Sequence, residues 1–286
     1  MPGGSARVLR VSGPTATIQT GGQVCEAHIV PRLPGGPLVV GDEVATRVTG
    51  EDAVIMQILP RRTSLERAAG PDGPRRVIVA NAEQLLVIES LTRPEPRPHL
   101  IDRYLVAAWV GGLDAAVVLT KADLVSDAAT GGLGDLYSGL GYDVFVGSAK
   151  DDALIEQLRA HIAGKVAALT GQSGVGKSTL TSGLTGIDRA VGDVSDRAGT
   201  GRHTTSDPRL IPLPNGGAVI DTAGVRTLFL PPLDAEDVAD AFPEIRAIRG
   251  TCRFRDCRHL GESGCVLPGH IAQTRLESYK WFVENP

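Results

Sequence analysis

Three kinds of chemistry are encoded in short stretches of this chain. The first is anion binding. Gly171-Gln172-Ser173-Gly174-Val175-Gly176-Lys177-Ser178 has the spacing G-x-x-x-x-G-K-S, and Thr179 follows. Glycines at 171, 174 and 176 let the backbone turn tightly and aim its N–H groups inward, where a nest of donors and a helix N-terminus attract phosphate. Lys177 can reach the outer phosphates as a point charge, and Ser178 can offer its hydroxyl to Mg²⁺. The second is recognition of a base edge. Asp123, in Thr120-Lys121-Ala122-Asp123, can accept two hydrogen bonds from N1–H and N2–H₂ of guanine, a donor pair that adenine lacks. Lys121 can lay its apolar stem over the base, and Ser148-Ala149-Lys150 can give a backbone N–H to guanine O6. Asp221, in Asp221-Thr222-Ala223-Gly224, can hold Mg²⁺ through water, and the Gly224 N–H can meet a γ-phosphate. The third is metal ligation. Cys252-x₄-Cys257-x-His259-x₅-Cys265 offers three thiolates and an imidazole, which suit tetrahedral Zn²⁺ in a closed, structural site. His270 is a rival fourth ligand.

These groups need elements to position them. Val166–Leu169 reads as an apolar strand and a helix opens at Lys177, so the glycine-rich stretch is a strand-to-helix turn. Apolar runs at Val77-Ile78-Val79, Leu85–Ile88, Ala115–Leu119, Val144–Val146 and Ala218–Ile220 read as strands. Ile101–Val110 and Ala153–Ile162 read as helices. The alternation indicates an α/β domain with a mostly parallel sheet, whose ligands sit at the C-terminal strand ends. Four of those ends carry the Thr120, Ser148, Gly171 and Asp221 stretches. Thr-Lys-x-Asp or Ser-Ala-Lys alone suits an ordinary capped loop; together, beside a phosphate loop, they indicate a guanine nucleotide.

Outside this domain the patterns change. Residues 6–59 form about five short runs of period two, divided by Gly13-Pro14, Gly21-Gly22 and Pro34-Gly35-Gly36, as in a small barrel of OB type. Val44, Thr46 and Val48 are expected on one face, and Val54, Met56 and Ile58 on another. The segment has no Phe, Tyr or Trp on which to stack bases, so its partner stays open. Residues 60–76 are rich in Pro, Gly and Arg and read as a linker or loop. The expected organisation is 1–62 barrel, 63–76 linker, 77–232 nucleotide domain and 233–286 zinc-binding domain. Arg246, Arg249, Arg253, Arg255 and Arg258 surround the cysteines, with Asp256 and Glu262 as the nearby acids in sequence; that basic face suits RNA or is a solvated surface. Arg275–Val283 reads as a short helix whose Tyr279, Trp281 and Phe282 pack on the domain.

With 286 residues, 42% apolar and 22% charged, the chain has room for two or three domains. No run approaches the ~20 apolar residues of a membrane span, and the N-terminus lacks the apolar segment of a secretory signal, so a cytoplasmic protein without membrane contact is expected. The net charge of −4 excludes a globally basic nucleic-acid binder.

The order of motifs, with base recognition before the phosphate loop, resembles a circularly permuted GTPase. With the preceding barrel and following Cys/His cluster, the chain resembles the ribosome small-subunit-dependent GTPase A family (RsgA/YjeQ). Ala80-Asn81-Ala82-Glu83-Gln84, Asp102-Arg103-Tyr104-Leu105, Gly201-Arg202-His203-Thr204-Thr205 and Arg275–Tyr279 carry the resemblance further. It implies a monomeric, zinc-containing GTPase that binds the small ribosomal subunit and its rRNA, hydrolyses GTP to GDP under ribosome stimulation, and assists late subunit maturation. It also implies His259 as the fourth zinc ligand, His203 as the residue that orients the attacking water beside Lys177 and Asp221, and Thr205 or Thr204 as a GTP contact, Thr205 joining Ser178 on Mg²⁺. The chain departs from the family in three places. Thr120 replaces an Asn whose amide braces the phosphate loop, Ala223 replaces a Pro, and Asn81-Ala82-Glu83 replaces Asn-Val-Asp. Val225 stands where many small GTPases carry a water-orienting Gln, so slow intrinsic turnover is expected. A GTP-gated RNA-binding module, or another phosphate-loop ATPase or kinase, are the competing readings.

Overall fold

The computed structural model describes residues 4–49, 52–68, 73–187, 208–214, 216–221, 230 and 232–285. Strands β1 (Ser5–Ser12), β2 (Thr15–Thr20), β3 (Gln23–Ile29), β4 (Glu43–Thr49) and β5 (Asp52–Ile58) close into a barrel of order β1-β2-β3-β5-β4. Its interior holds Ala6, Val8, Ala16, Ile18, Ala27, Val44, Ala53, Ile55 and Ile58. The expected common face of Val54, Met56 and Ile58 is thus split. Ala53 and Ile55 point inward, while Val54 and Met56 are only half-buried. The β4–β5 register shifts between Ala45 and Thr46, where Ile55 pairs with Thr46 and Gln57 with Ala45. Met56 is the extra residue, and this bulge flips the alternation so that Ile58 returns inward. Asp42, fully buried, is held by Arg61 through Nε–Oδ1 at 2.7 Å and Nη2–Oδ2 at 2.9 Å.

The stretch expected as a linker contains structure. β6 (Ser64–Ala68) pairs antiparallel with β7 (Arg75–Ala80) in a two-stranded ribbon. Asn81 then ties the ribbon to the barrel, accepting from the Arg62 N–H at 2.9 Å and donating to the Gly41 carbonyl at 3.1 Å.

The central sheet has order β10-β9-β8-β11-β13-β12. Its members are β8 (Gln84–Ser90), β9 (Asp114–Thr120), β10 (Asp143–Val146), β11 (Val166–Thr170), β12 (Arg209–Pro212) and β13 (Ala218–Asp221), all parallel except β12. The strands expected at Leu85–Ile88, Ala115–Leu119, Val144–Val146, Val166–Leu169 and Ala218–Ile220 are in this sheet, whereas the one expected at Val77–Val79 is β7 of the ribbon; β12 and helix α2 (Asp127–Gly139) are additions. Helices α1 (Pro98–Gly111) and α2 (Asp127–Gly139) cover one face, α3 (Asp152–His161) and α4 (Lys177–Thr185) the other. β8, buried throughout, sends Leu85 and Val87 to the first face and Leu86 and Ile88 to the second, as alternation requires of a strand covered on both sides.

The C-terminal part contains α5 (Ala235–Ala241), α6 (Pro243–Ala247) and α7 (Gln273–Glu284). Tyr279 and Phe282 of α7 are buried with Phe242 and Ile245, whereas Trp281 is 40% exposed, its ring 4.8 Å from the Arg103 guanidinium. This part docks on α1. Arg275, 1% exposed, reaches Asp102 at 2.5 Å through Nη1 and Glu244 through Nε at 2.7 Å and Nη2 at 3.0 Å. Tyr137 of α2 donates to the same Asp102 oxygen at 2.7 Å. Two of the stretches that carry the resemblance, Asp102–Leu105 and Arg275–Tyr279, thus meet across this seam.

Candidate active site

At the C-terminal edge of the sheet, the phosphate-loop turn runs between β11 and α4. Gly171 has φ 145°, and a Cβ there would overlap the Ile88 carbonyl of the neighbouring strand, so only glycine lets the loop leave β11 this close to β8. Gly176 caps α4 at φ 101°. A Cβ on it would lie 3.2 Å from Ala149 Cβ and 3.8 Å from Thr120 Oγ1. Three of the four sequence-derived stretches therefore meet at one residue. Lys177 Nζ rests 2.6 Å from the carbonyls of Gly171 and Gln172, curled over the loop. Ser173, Gly174, Ser178 and Thr179 are exposed along its rim, and Val175 is buried beneath it.

The base-recognition stretch follows β9. Thr120 is fully buried, and its Oγ1 lies 2.6 Å from the Val175 carbonyl and 3.1 Å from the Glu89 carbonyl. The amide of the family's Asn is absent, and the Thr120 hydroxyl reaches the phosphate loop instead. Lys121 adopts φ 60° and donates Nζ to the Arg93 carbonyl. The Ala122 N–H bonds to Gly147 O at 3.2 Å, which docks this turn on the loop carrying Ser148, Ala149 and Lys150. Asp123 sits exposed in a 3₁₀ turn with its carboxylate accessible to a base edge. Asp221, 2% exposed, ends β13 beside Leu169 of β11. A buried carboxylate and the Ser178 hydroxyl are oxygen donors of the kind Mg²⁺ takes. His203, Thr204, Thr205 and Gly224 lie outside the described residues.

Sequence reasoning counted four strand ends and missed a fifth. The loop after β8, residues 91–97, lies between the base stretch and the phosphate loop because β8 lies between β9 and β11. Arg93 receives Lys121, and the Glu95 carbonyl lies 3.5 Å from Gln172 Nε2. Glu89, 1% exposed, accepts from Gln172 Nε2 at 2.9 Å, and burial pushes its carboxyl above the usual range. A carboxylate closing an otherwise apolar strand was the available signal.

The Cys/His cluster is fully assembled. Cys252, Cys257 and Cys265 Sγ and His259 Nδ1 lie within 4.8 Å of one another. The imidazole nitrogen is 3.5, 3.7 and 3.4 Å from the three sulfurs. These are the edge lengths of a tetrahedron with metal–ligand bonds of about 2.0–2.3 Å, so the donor set fits Zn²⁺. His259, not the exposed His270, completes it. The Glu262 carboxylate shapes the ligand loop by accepting the N–H groups of Arg258 (2.9 Å), Leu260 (2.8 Å) and Gly261 (3.2 Å). Tyr279 donates to the Arg258 carbonyl at 2.8 Å, fixing the loop to α7. Of the arginines nearby, Arg249 is paired with Glu236 and with Asp240 at 2.7 Å, which corrects the expectation that Asp256 and Glu262 are the acids close by. Arg246 stacks over Trp109 at 4.2 Å, while Arg253, Arg255 and Arg258 are exposed.

Comparison with known proteins places these observations in a family. The model of the RsgA GTPase family matches residues 58–231. The chain is 41% identical over 271 residues to the small ribosomal subunit biogenesis GTPase RsgA of Azotobacter vinelandii, covering 91% of this chain and 77% of that protein. It is 41% identical over 277 residues to the protein of the same name from Pseudomonas putida, covering 93% and 80%. Its fold is similar to that of YloQ, a circularly permuted GTPase, with a TM-score of 0.77 at 24% identity over 99% of this chain and 94% of that one. It is also similar to YjeQ from Thermotoga maritima, with a TM-score of 0.75 at 27% identity over 98% of both chains.

Proposed function

The chain belongs to the RsgA GTPase family, and from that premise we propose that it binds the small ribosomal subunit and its rRNA and hydrolyses GTP during late subunit maturation. The observation that carries the site assignment is the convergence of Thr120, Ala149 and Gly176 at contact distance. Around that point the guanine edge meets Asp123, with Lys121 over its face and the Ser148–Lys150 backbone at O6. The phosphates lie in the Gly171–Gly176 nest, and Lys177 leaves its carbonyl partners to neutralise their charge. Ser178, Thr205 and Asp221 are the donors for Mg²⁺, which when bound offsets charge on the phosphates. His203 orients the attacking water, and Thr204 and Gly224 contact the nucleotide. The Cys252–Cys257–His259–Cys265 set holds one structural zinc, and the exposed Arg253, Arg255 and Arg258 face rRNA. The protein acts as a cytoplasmic monomer, its barrel, nucleotide domain and zinc-binding domain following one another along the chain, with the β6–β7 ribbon between the first two. Among the described residues no helix is long and apolar enough to cross a membrane.

The test is GTP turnover measured alone, with small subunits and with large subunits. Stimulation by small subunits only is expected. Equal rates in all three mixtures overturn the ribosomal reading. Asp123→Asn should erode the preference for GTP over xanthosine triphosphate, and an unchanged preference removes Asp123 from base recognition. Wild-type stimulated turnover in His203→Ala removes His203 from the mechanism.

A further inference from the structure

Glu89 is buried beside the nucleotide pocket, yet none of the roles assigned above uses it. Its Oε1 accepts from Gln172 Nε2 at 2.9 Å and from the Ser90 N–H at 2.9 Å. Its backbone carbonyl lies 3.1 Å from Thr120 Oγ1, which in turn reaches the Val175 carbonyl at 2.6 Å. Glu89 thus touches the phosphate loop directly at its second position, and its backbone carbonyl lies against the Thr120 hydroxyl, whose single proton goes to the loop at its fifth. β8 is the strand flanked by both β9 and β11, so a side chain at its C-terminal end is placed to join the two loops from below. Burying a carboxylate that accepts from amides, with the Arg97 charge recovering only part of the cost, is unfavourable, and a core that needed only volume is better served by an apolar residue. The unfavourable group stands under a loop rich in glycine, whose backbone has the most freedom to rearrange.

We propose that Glu89 is a positioning residue for the phosphate loop. Through Gln172 it fixes the first turn of the loop, so that the backbone N–H groups face the phosphates before nucleotide arrives. The inference rests on the reading of Gly171–Ser178 as the phosphate site.

A double-mutant cycle in the full-length protein tests it, with affinity for a fluorescent GDP analogue as the readout. Glu89→Ala and Gln172→Ala are each expected to raise Kd about tenfold, the scale of one hydrogen bond to a charged group. The double variant should be no weaker than the weaker single, because one interaction is being removed twice. Glu89→Gln should restore affinity to within about threefold of wild type, since an amide oxygen accepts the same two N–H groups. KM for GTP should rise in step with Kd, with kcat changing much less. Additive single effects, an unchanged Kd in Glu89→Ala, or no rescue by Glu89→Gln would each overturn the proposal. Should Glu89→Ala fail to fold, the exchanged pair decides. Gln172→Glu sets two carboxylates together and should weaken binding, and adding Glu89→Gln should restore it; no restoration overturns the assignment. Lys177→Ala separates the two readings. If it leaves Kd unchanged, the phosphate site itself is wrong. If it abolishes binding while Glu89→Ala does nothing, Glu89 alone falls.

Discussion

Two of the buried carboxylates among the described residues, Asp102 and Glu89, are satisfied differently. At the seam between the nucleotide domain and the C-terminal helices, Asp102 meets the Arg275 guanidinium, which also forks onto Glu244 and lies 4.2 Å over the Phe242 ring. Beneath the phosphate loop, Glu89 meets an amide side chain and a backbone N–H. Desolvation alone works to strip Arg275 of its proton, but Glu244 and Asp102 outweigh it and leave its affinity for that proton raised. At Glu89 desolvation wins, and the hydrogen bonds of Gln172 and Ser90, with the charge of Arg97, recover only part of the cost. A paired charge locks two surfaces in one register. An amide-held carboxyl tolerates small movement of its partner, which suits a floor under a loop that must receive a ligand.

The contrast can be broken first at the seam. Arg275→Met leaves Asp102 and Glu244 buried without a cation, and urea denaturation should register a loss of about 3–5 kcal/mol. A loss below about 1 kcal/mol would mean that the seam is wetter than its burial indicates. A smaller effect is expected at the floor. Thr120→Val keeps shape but removes the donor to the buried Val175 carbonyl, which costs about 1–3 kcal/mol when a buried partner is orphaned. The loss should appear as weaker GDP binding, whereas Thr120→Asn, restoring the family's amide, should keep wild-type affinity. The smallest effect sharpens the difference in charge. Because the folded protein holds the Glu89 proton more tightly than the unfolded chain does, wild-type stability from this group is fully present below the ordinary carboxyl pKa and is lost as pH rises through the raised one. Glu89→Gln has no such loss. Its thermal midpoint should gain on wild type from acid toward neutral pH, and a constant difference across that range would show that Glu89 titrates normally.

What was legible in the sequence was chemistry packed into short spacings. The phosphate loop, Thr120–Asp123, Ser148–Lys150 and the Cys/His set each need particular residue types within a few positions, and the strands that carry them are apolar enough to be read directly. What was not legible depended on distant partners. Asp102 and Arg275 are 173 positions apart, and Glu89 and Gln172 are 83 apart; no local pattern announces either pair. The phase of β5 was misjudged because one bulged residue, Met56, reverses an alternation that composition leaves intact. The ribbon β6–β7 was hidden by its Pro/Gly/Arg-rich connection, and the pairing of Arg249 with Glu236 and Asp240 came from a helix outside the cysteine-rich window. Thr120 was read by what it lacked relative to Asn, and its own hydrogen bond to the Val175 carbonyl, 55 positions away, was not visible in the local sequence.

The sheet order has one mechanical implication. The polypeptide comes into the nucleotide domain through β8 and goes out through β13, and these two strands are the immediate left and right neighbours of β11. The barrel and the cysteine-rich tail are therefore strung from opposite sides of the same central strand. Any shift of β11 as phosphate seats or departs would be felt at both attachments at once.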